Sequence, residues 1–308
     1  MSFSREVKEE LALHVSPSRH CQIAELSAII MMCGKMHHDQ KGGTRIIVQT
    51  ENMTVARKYF TLLRKTFNIY TDVCVRTSKL SSKTRTYLLV LNEKEDVEKL
   101  IGALKLDRNS GNVSTLITGK SCCKRAFIRG VFLTTGSISD PEKFYHFEIV
   151  CDTSVQAEAV QALINSFGID SKIVPRKKYY VVYIKEGAQI VDMLNIMEAH
   201  VSLMKLENLR IVKEMRNSVN RRVNCETANI HKTVSAAVKQ LEDIRYIKEK
   251  NGFSELSEGL LEMAELRLHN PDATLKELGE MADPPVGKSG VNHRLRKLSE
   301  YAEKLRGY

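Results

Sequence analysis

"LSAIIMMCG" (Leu26–Gly34) and "IRGVFLTTG" (Ile128–Gly136) are two mostly apolar nonamers ending in glycine, with the terminal glycines 102 residues apart. Apolar runs that end in glycine are common helix C-termini, so the residues behind each nonamer decide whether the pair is a repeat. After the first comes "TRIIVQTENMTVARKYFTLLRKTFNIYTDVCVR" (Thr44–Arg76), and after the second "FEIVCDTSVQAEAVQALINSFGIDSKIVPR" (Phe147–Arg176). Val55 matches Val155, Phe67 matches Phe167 and Ile69 matches Ile169, each at an offset of 100. This co-linearity predicts a duplicated unit.

Each half continues with a strand signal rich in aromatic and β-branched residues, "RTYLLVL" (Arg85–Leu91) or "KKYYVVYI" (Lys177–Ile184). Each closes on a helical pattern, "EKEDVEKLIGALKL" or "GAQIVDMLNIMEAH". Val55, Tyr59, Leu62, Leu63 and Phe67 recur at helical spacing between the strand signals, as do Val155, Ala159, Ala162, Leu163 and Phe167. The predicted order per half is helix, two strands, helix, two strands, helix. The first strand of each half rests on short runs near Met36 and from Val131 to Ser139. The nonamers would be the paired central helices, approaching closely where Ala28 and Gly130 occupy the third place.

The two nonamers resemble those of the LAGLIDADG homing endonuclease family, with Leu26 at the first place and Gly34 at the last, and glycine at the third and last places of the second. In that family the eighth residue of each nonamer is an acid, and the two acids hold the divalent metals that drive phosphodiester cleavage. Here the eighth residues are Cys33 and Thr135. Neither is a hard oxygen anion of the kind magnesium requires, and Glu25 and Asp140 lie outside the nonamers. The resemblance therefore implies the fold without the nuclease, at degenerate metal positions Cys33 and Thr135, and Met32 at the seventh place implies adjusted packing between the helices.

A chain of 308 residues that is 43% hydrophobic has room for two domains with cores of their own. Its formal charge of +10 and sequence pI near 9.2 favour a polyanionic partner, because Lys and Arg release counterions from a phosphate backbone. From Lys41 to Leu88 the positive residues Lys41, Arg45, Arg57, Lys58, Arg64, Lys65, Arg76, Lys79, Lys83 and Arg85 face only Glu51 and Asp72, a net of +8. That pattern fits either nucleic-acid contact or a solvated helix face with a loop. Cys21, Cys33, Cys74, Cys122, Cys123, Cys151 and Cys225 include no C-x-x-C and no paired ligand spacing. They read as reduced thiols, His37-His38 beside Cys33 reads as a solvated pair, and no metal or other cofactor is expected. The opening "MSFSREVKEELALHV" has no apolar core of signal-peptide length, and no apolar run suits a membrane span. A soluble, cytoplasmic protein with no membrane partner and no small-molecule substrate is expected.

After about Val201 strand signals cease. Leu203, Leu206, Leu209, Val212 and Met215 keep a helix period until "RNSVNRRVNCETANIHKT" (Arg216–Thr233), whose asparagines predict an interruption and a domain junction. Asn270-Pro271-Asp272 ends a helix, Thr274 with Glu277 forms a capping box that starts another, and Asp283-Pro284-Pro285 stops it. A last helix is predicted from about Lys288 to Arg306. Val291, Leu295 and Leu298 form its buried stripe, while Ser289, Asn292, His293 and Arg296 form a polar one. Such a face suits the major groove, where Arg reads guanine and Asn reads adenine, and the helix N-terminus suits a phosphate. The predicted DNA contacts are Lys288, Ser289, Asn292, His293, Arg294, Arg296 and Lys297. A weaker set comprises Arg221, Arg222, Arg76, Lys79, Lys83, Arg85, Arg176, Lys177 and Lys178. The pair "TLKELGE" and "VNHRLRKL" also resembles the promoter-reading region of bacterial sigma factors, with Gly279 bringing the two helices close and an Asp-Pro-Pro turn as the departure.

A degenerate LAGLIDADG domain followed by such a helix-turn-helix resembles the WhiA family of bacterial regulators along essentially the whole chain. The stretches that carry the likeness are "MSFSREVKEELA", "AELSAII", "RAFIRGVFLTTGSISDPEK", "RNSVNRRVNCETANIHKTV" and "DPPVGKSGVNHRLRKL". The expected fold class is α+β: a pseudo-symmetric duplicated αββαββα domain over residues 1–205 (repeats about 1–110 and 120–205), a helical linker over 206–270, and an all-α helix-turn-helix domain over 271–308. The resemblance implies a non-enzymatic transcription regulator tied to cell division, chromosome segregation or sporulation. Double-stranded DNA is its expected partner, with RNA polymerase or another regulator as a protein partner, at the bacterial nucleoid. The competing expectations are an adaptor whose N-terminal domain binds proteins and a residual endonuclease.

Overall fold

In the computed structural model, which describes residues 2–38, 43–77, 85–105 and 115–307, a leading helix α1 (Phe3–Leu13) precedes the first repeat. That repeat runs α2 (Arg19–Cys33), β1 (Gly34–His38), β2 (Thr44–Thr50), α3 (Met53–Phe67), β3 (Asp72–Thr77), β4 (Arg85–Leu91) and α4 (Lys94–Leu104). The second runs α5 (Ser121–Thr135), β5 (Gly136–Ile138), β6 (Phe147–Cys151), α6 (Ser154–Asn165), β7 (Lys172–Arg176), β8 (Tyr179–Ile184) and α7 (Gly187–Met197). The predicted order is thus present twice. In the run from Val131 to Ser139, helix persists through Thr135, because the helical ladder continues until the Gly136 N–H reaches the Phe132 carbonyl, and the strand is confined to Gly136–Ile138.

Each repeat folds its strands into an antiparallel sheet of the same topology, β1-β2-β4-β3 and β5-β6-β8-β7. Side chains alternate across a strand, so Ile46, Val48 and Thr50 of β2 share the core face with Leu91, Leu89 and Tyr87 of β4. In the second sheet Phe147, Ile149 and Cys151 do the same with Ile184, Val182 and Tyr180. Against these faces pack α3 and α6, whose starts are fixed by caps: Asn52 accepts from the Thr54 N–H at 2.8 Å, and Thr153 from the Gln156 N–H at 3.2 Å.

The nonamer helices α2 and α5 occupy the middle of one shared core. Ala24 through Ile30 of α2 and Ala126 through Leu133 of α5 are all buried, as expected of a helix without a polar face. At their closest approach a Cβ on Gly130 would lie 2.7 Å from the Glu25 carbonyl oxygen and 2.8 Å from the Ala28 Cβ. The two third-place residues therefore meet, as the repeat predicts, and only glycine fits on the α5 side.

The chain divides into two units, Met1–Lys213 and Glu214–Tyr308, and the division falls inside a single helix, α8 (His200–Asn251). The interruption expected over Arg216–Thr233 is absent: all 52 residues of α8 are helical. The polar side chains of this stretch bond within the helix, to carbonyls one turn back or to one another, without breaking its ladder. Arg221 Nε donates to the Asn217 carbonyl at 3.3 Å, Thr233 Oγ1 to the Asn229 carbonyl at 2.9 Å, and Arg222 pairs with Glu226 at 3.3 Å.

Candidate nucleic-acid interface

In the second unit α8 is followed by α9 (Glu258–His269), α10 (Leu275–Met281) and α11 (Lys288–Arg306). Their core joins Ile244 and Ile247 of α8 to Met263, Ala264, Leu278, Val291, Leu295, Leu298 and Ala302, so the packed body takes in part of the segment 206–270. The buried stripe expected on α11 is present, with Val291, Leu295 and Leu298 at most 1% exposed.

Local chemistry sets the angle of the two helices. Thr274 and Glu277 close the capping box at the start of α10, with the Thr274 N–H donating to Glu277 Oε2 at 2.7 Å. That backbone hydrogen bond holds the Glu277 carboxyl below its ordinary pKa. Buried Arg267 ties down the preceding loop, donating to the Ala273 carbonyl at 2.7 Å. At Gly279 the turn folds back on α10: the Val286 N–H donates to the Gly279 carbonyl at 2.9 Å. A Cβ there would lie 2.0 Å from the Val286 carbonyl oxygen and 3.1 Å from Val291 Cγ2. The glycine thus admits the turn first and the neighbouring helix second.

The free face of α11 is polar. Lys288, Ser289, Asn292, His293, Arg296 and Lys297 are all exposed, and no side chain caps the helix at Gly287. Free first-turn N–H groups beside Lys288 form a ready anion site. Arg296 also pairs with Glu300 one turn along, at 3.0 Å. Arg294 is placed differently from the rest of the predicted set. It is partly buried and its Nη1 meets Glu262 Oε2 of α9 at 3.1 Å, which makes it a strut between helices.

Of the weaker set, Arg76 and Arg85 lie on the first sheet, and Arg176, Lys177 and Lys178 at the β7–β8 hairpin of the second. Register pairs Arg76 with Thr86 and Thr77 with Arg85, and adjacent strand residues point to opposite faces, so Arg76 and Arg85 lie on opposite sides of the first sheet. Lys41, Lys79 and Lys83 fall outside the described residues. Arg176 stands 3.8 Å from Glu148, which also accepts from Ser137 Oγ at 3.1 Å and lies 3.3 Å from His146. Lys177 makes the β7–β8 turn at φ 56°, and Lys178 sits 5.1 Å over the Tyr179 ring.

At the C-terminal ends of α2 and α5, where the endonuclease family carries its acids, stand Cys33 and Thr135, and Lys8 of α1 lies near enough to Cys33 for its charge to act on the thiol. Burial pushes the Cys33 thiol up to about 11, opposed by the charge of Lys8, and pushes the Lys8 amine down to about 8. The Lys8 Nζ lies 5.8 Å from the centre of the Phe132 ring. The Thr135 hydroxyl is buried with no hydrogen-bond partner among the described residues. A protonated thiol, a hydroxyl and an ammonium do not fit a magnesium ion, which takes oxygen anions.

Sequence reasoning missed Lys8, and it missed a buried charge network one turn before the nonamers' centre. Glu25 of α2, wholly buried, pairs with Lys58 Nζ of α3 at 3.0 Å and with Arg129 Nε of α5 at 3.2 Å. Arg129 continues to Glu198 Oε2 at 2.6 Å, and Glu198 to His14 at 3.2 Å. Lys58 also donates to the carbonyls of Leu11, at 3.2 Å, and His14. The available signal was a lone charge inside an apolar helix, since a buried charge must find a partner.

Family models match most of the chain: the WhiA N-terminal LAGLIDADG-like domain over residues 19–107, the WhiA LAGLIDADG-like domain over 124–216, and the WhiA C-terminal HTH domain over 219–302. A probable cell division protein WhiA of Lachnoclostridium phytofermentans is 55% identical, over 99% of this chain and 100% of that protein. One of the same name from Alkaliphilus oremlandii is 50% identical, over 99% of this chain and 98% of that protein. Among solved structures, full-length DUF199/WhiA from Thermatoga maritima aligns over 99% of both chains at a TM-score of 0.62 and 24% identity, a likeness of fold. With two LAGLIDADG-like repeats followed by a helix-turn-helix unit, matched along its whole length by relatives this similar, the chain belongs to the WhiA family.

Proposed function

We propose that this chain is a sequence-specific duplex-DNA-binding protein that regulates transcription in cell division, chromosome segregation or sporulation, and that its LAGLIDADG-like unit is catalytically inert. The observation that carries this reading is the free polar face of α11, with Arg296 and Asn292 available to base edges and Lys288 beside uncapped N–H groups for phosphate. Inertness is supported by the ammonium of Lys8 and the absence of acids at positions 33 and 135. Relatives named as probable cell division proteins support the biological setting. Among the described residues no helix is long and apolar enough to cross a membrane, which agrees with action on DNA in the cytoplasm at the nucleoid. RNA polymerase or another regulator would be the protein partner.

The test uses a site selected by the protein itself from a pool of random duplexes. At fixed salt, Arg296→Ala is expected to weaken binding to that site by about 1–3 kcal/mol while sparing random DNA, whereas Lys288→Ala weakens both alike. Equal losses on both DNAs for both variants would overturn the base-reading role of this face. A second reading, a division-protein adaptor, is favoured by Glu148 on the open face of the second sheet, where an acid opposes a phosphate backbone. It predicts cellular function without residues beyond about 220.

A further inference from the structure

We infer that the amino-terminal ends of the two central helices hold a zinc ion, ligated by His20, Cys21, Cys122 and Cys123. One imidazole nitrogen of His20 and the three Sγ atoms all lie within 4.8 Å of one another. His20 Nδ1 stands 3.2 Å from Cys123 Sγ and 3.3 Å from Cys21 Sγ. In a tetrahedral site with Zn–S near 2.3 Å, ligand atoms stand about 3.8 Å apart, so small side-chain rotations complete the geometry. Three thiolates and one imidazole make a soft donor set that selects zinc over magnesium or calcium.

The placement follows the duplication. His20 and Cys21 are the second and third residues of α2, and Cys122 and Cys123 are the second and third of α5. The two pairs stand at the offset of 102 that relates the nonamers. Each repeat thus supplies two ligands from equivalent positions, and the four meet across the interface of the central helices. No spacing within one stretch announces such a site, because its halves are a hundred residues apart. Cys21 and Cys123 are buried, while His20 and Cys122 are exposed: the floor of the site is sealed and its outer side gives the ion an entry path. The first-turn N–H groups of both helices favour negative charge on the sulfurs. With four protein ligands no position is left for water, so the site is structural. It would clamp α2 to α5 at the end opposite Cys33 and Thr135. Binding replaces three thiol protons, which pass to solvent, and involves no redox change. A disulfide would use two sulfurs and leave the third and the imidazole without a role in the cluster.

The full chain, purified under reducing conditions and supplied with zinc, is expected to retain one zinc per chain by elemental analysis after exhaustive dialysis. Its cobalt-substituted form should show the thiolate charge-transfer and visible bands of a tetrahedral site. Cys122→Ser, at an exposed position, should lower zinc affinity by about 100-fold or more in competition with a chromophoric chelator, with its circular dichroism unchanged. Cys225→Ser, on exposed α8, should bind as the unaltered chain does. Retention far below one equivalent, an octahedral cobalt spectrum, a disulfide among these cysteines in the freshly reduced chain, or an equal loss in Cys225→Ser would overturn the assignment.

Discussion

Replacing Gly130 by alanine adds one methyl group at the point where α2 and α5 touch. That methyl would lie 2.7 Å from the backbone oxygen of Glu25 and 2.8 Å from the Ala28 Cβ, closer than carbon sits to either atom in a packed interior. One obstacle is backbone, so relief requires the two helices to separate along their contact. Overpacking of this kind costs about 1–3 kcal/mol, against a gain of about 1 kcal/mol from alanine's helix propensity. With a rigid carbonyl in the way the cost falls at the upper end, and Gly130→Ala should destabilise the first unit by about 2 kcal/mol. The control is Gly102, on the exposed side of α4, where an added Cβ meets nothing within 4 Å. There only propensity acts, and Gly102→Ala should stabilise by roughly 1 kcal/mol. Urea unfolding of the full chain by far-ultraviolet circular dichroism, with hydrogen exchange of α2 and α5 peptides to locate the transition, should separate the two variants by about 3 kcal/mol. A Gly130→Ala chain as stable as the unaltered protein would refute the close crossing of the nonamer helices.

The Lys8 amine has a folded pKa of about 8 against an ordinary 10.5, so between those pH values the unfolded chain binds the extra proton. Stability should therefore rise with pH across that window, by up to about 3 kcal/mol, and the burial penalty should be fully present below about pH 8. Lys8→Met should abolish the rise and be the more stable chain at neutral pH, as read from denaturant midpoints at pH 7 and 10.5; parallel curves for the two chains would count against the burial of this amine. Glu25→Gln leaves Lys58 and Arg129 buried without their shared carboxylate and should destabilise by about 3–5 kcal/mol. A loss under about 1 kcal/mol would mean that the network is open to water.

The duplication was legible because the nonamers and the residues behind them repeat at nearly constant offset, and a repeat constrains every element at once. The bounds of α10 and α11 were legible for a different reason: Thr274, Glu277 and Asp283-Pro284 are punctuation whose chemistry is local. What was not legible depended on how polar groups are satisfied and on which face each one takes. Asn217 and Asn229 suggested a broken helix, yet on an exposed helix their carbonyls simply serve Arg221 and Thr233. Arg76 and Arg85 read as one basic patch until the strand register set them on opposite faces. Arg294 has the composition of a DNA contact, and only the packing of α9 reveals Glu262 waiting for it.

The Glu25–Arg129 pair also bears on how far the two repeats have grown apart. Under the offset of 102, Arg129 corresponds to Ser27 and Glu25 to Phe127, so the ion pair across the central helices has no mirror image. Two copies of the second repeat alone would set each Arg129 against a phenyl ring, left with Glu198 as its only carboxylate. Two copies of the first would set each Glu25 against a serine hydroxyl. Lock and key have been divided between the halves, and each discriminates against itself in favour of the other. The two halves are therefore not interchangeable at their shared seam, since each carries one side of a charge pair that only the other completes.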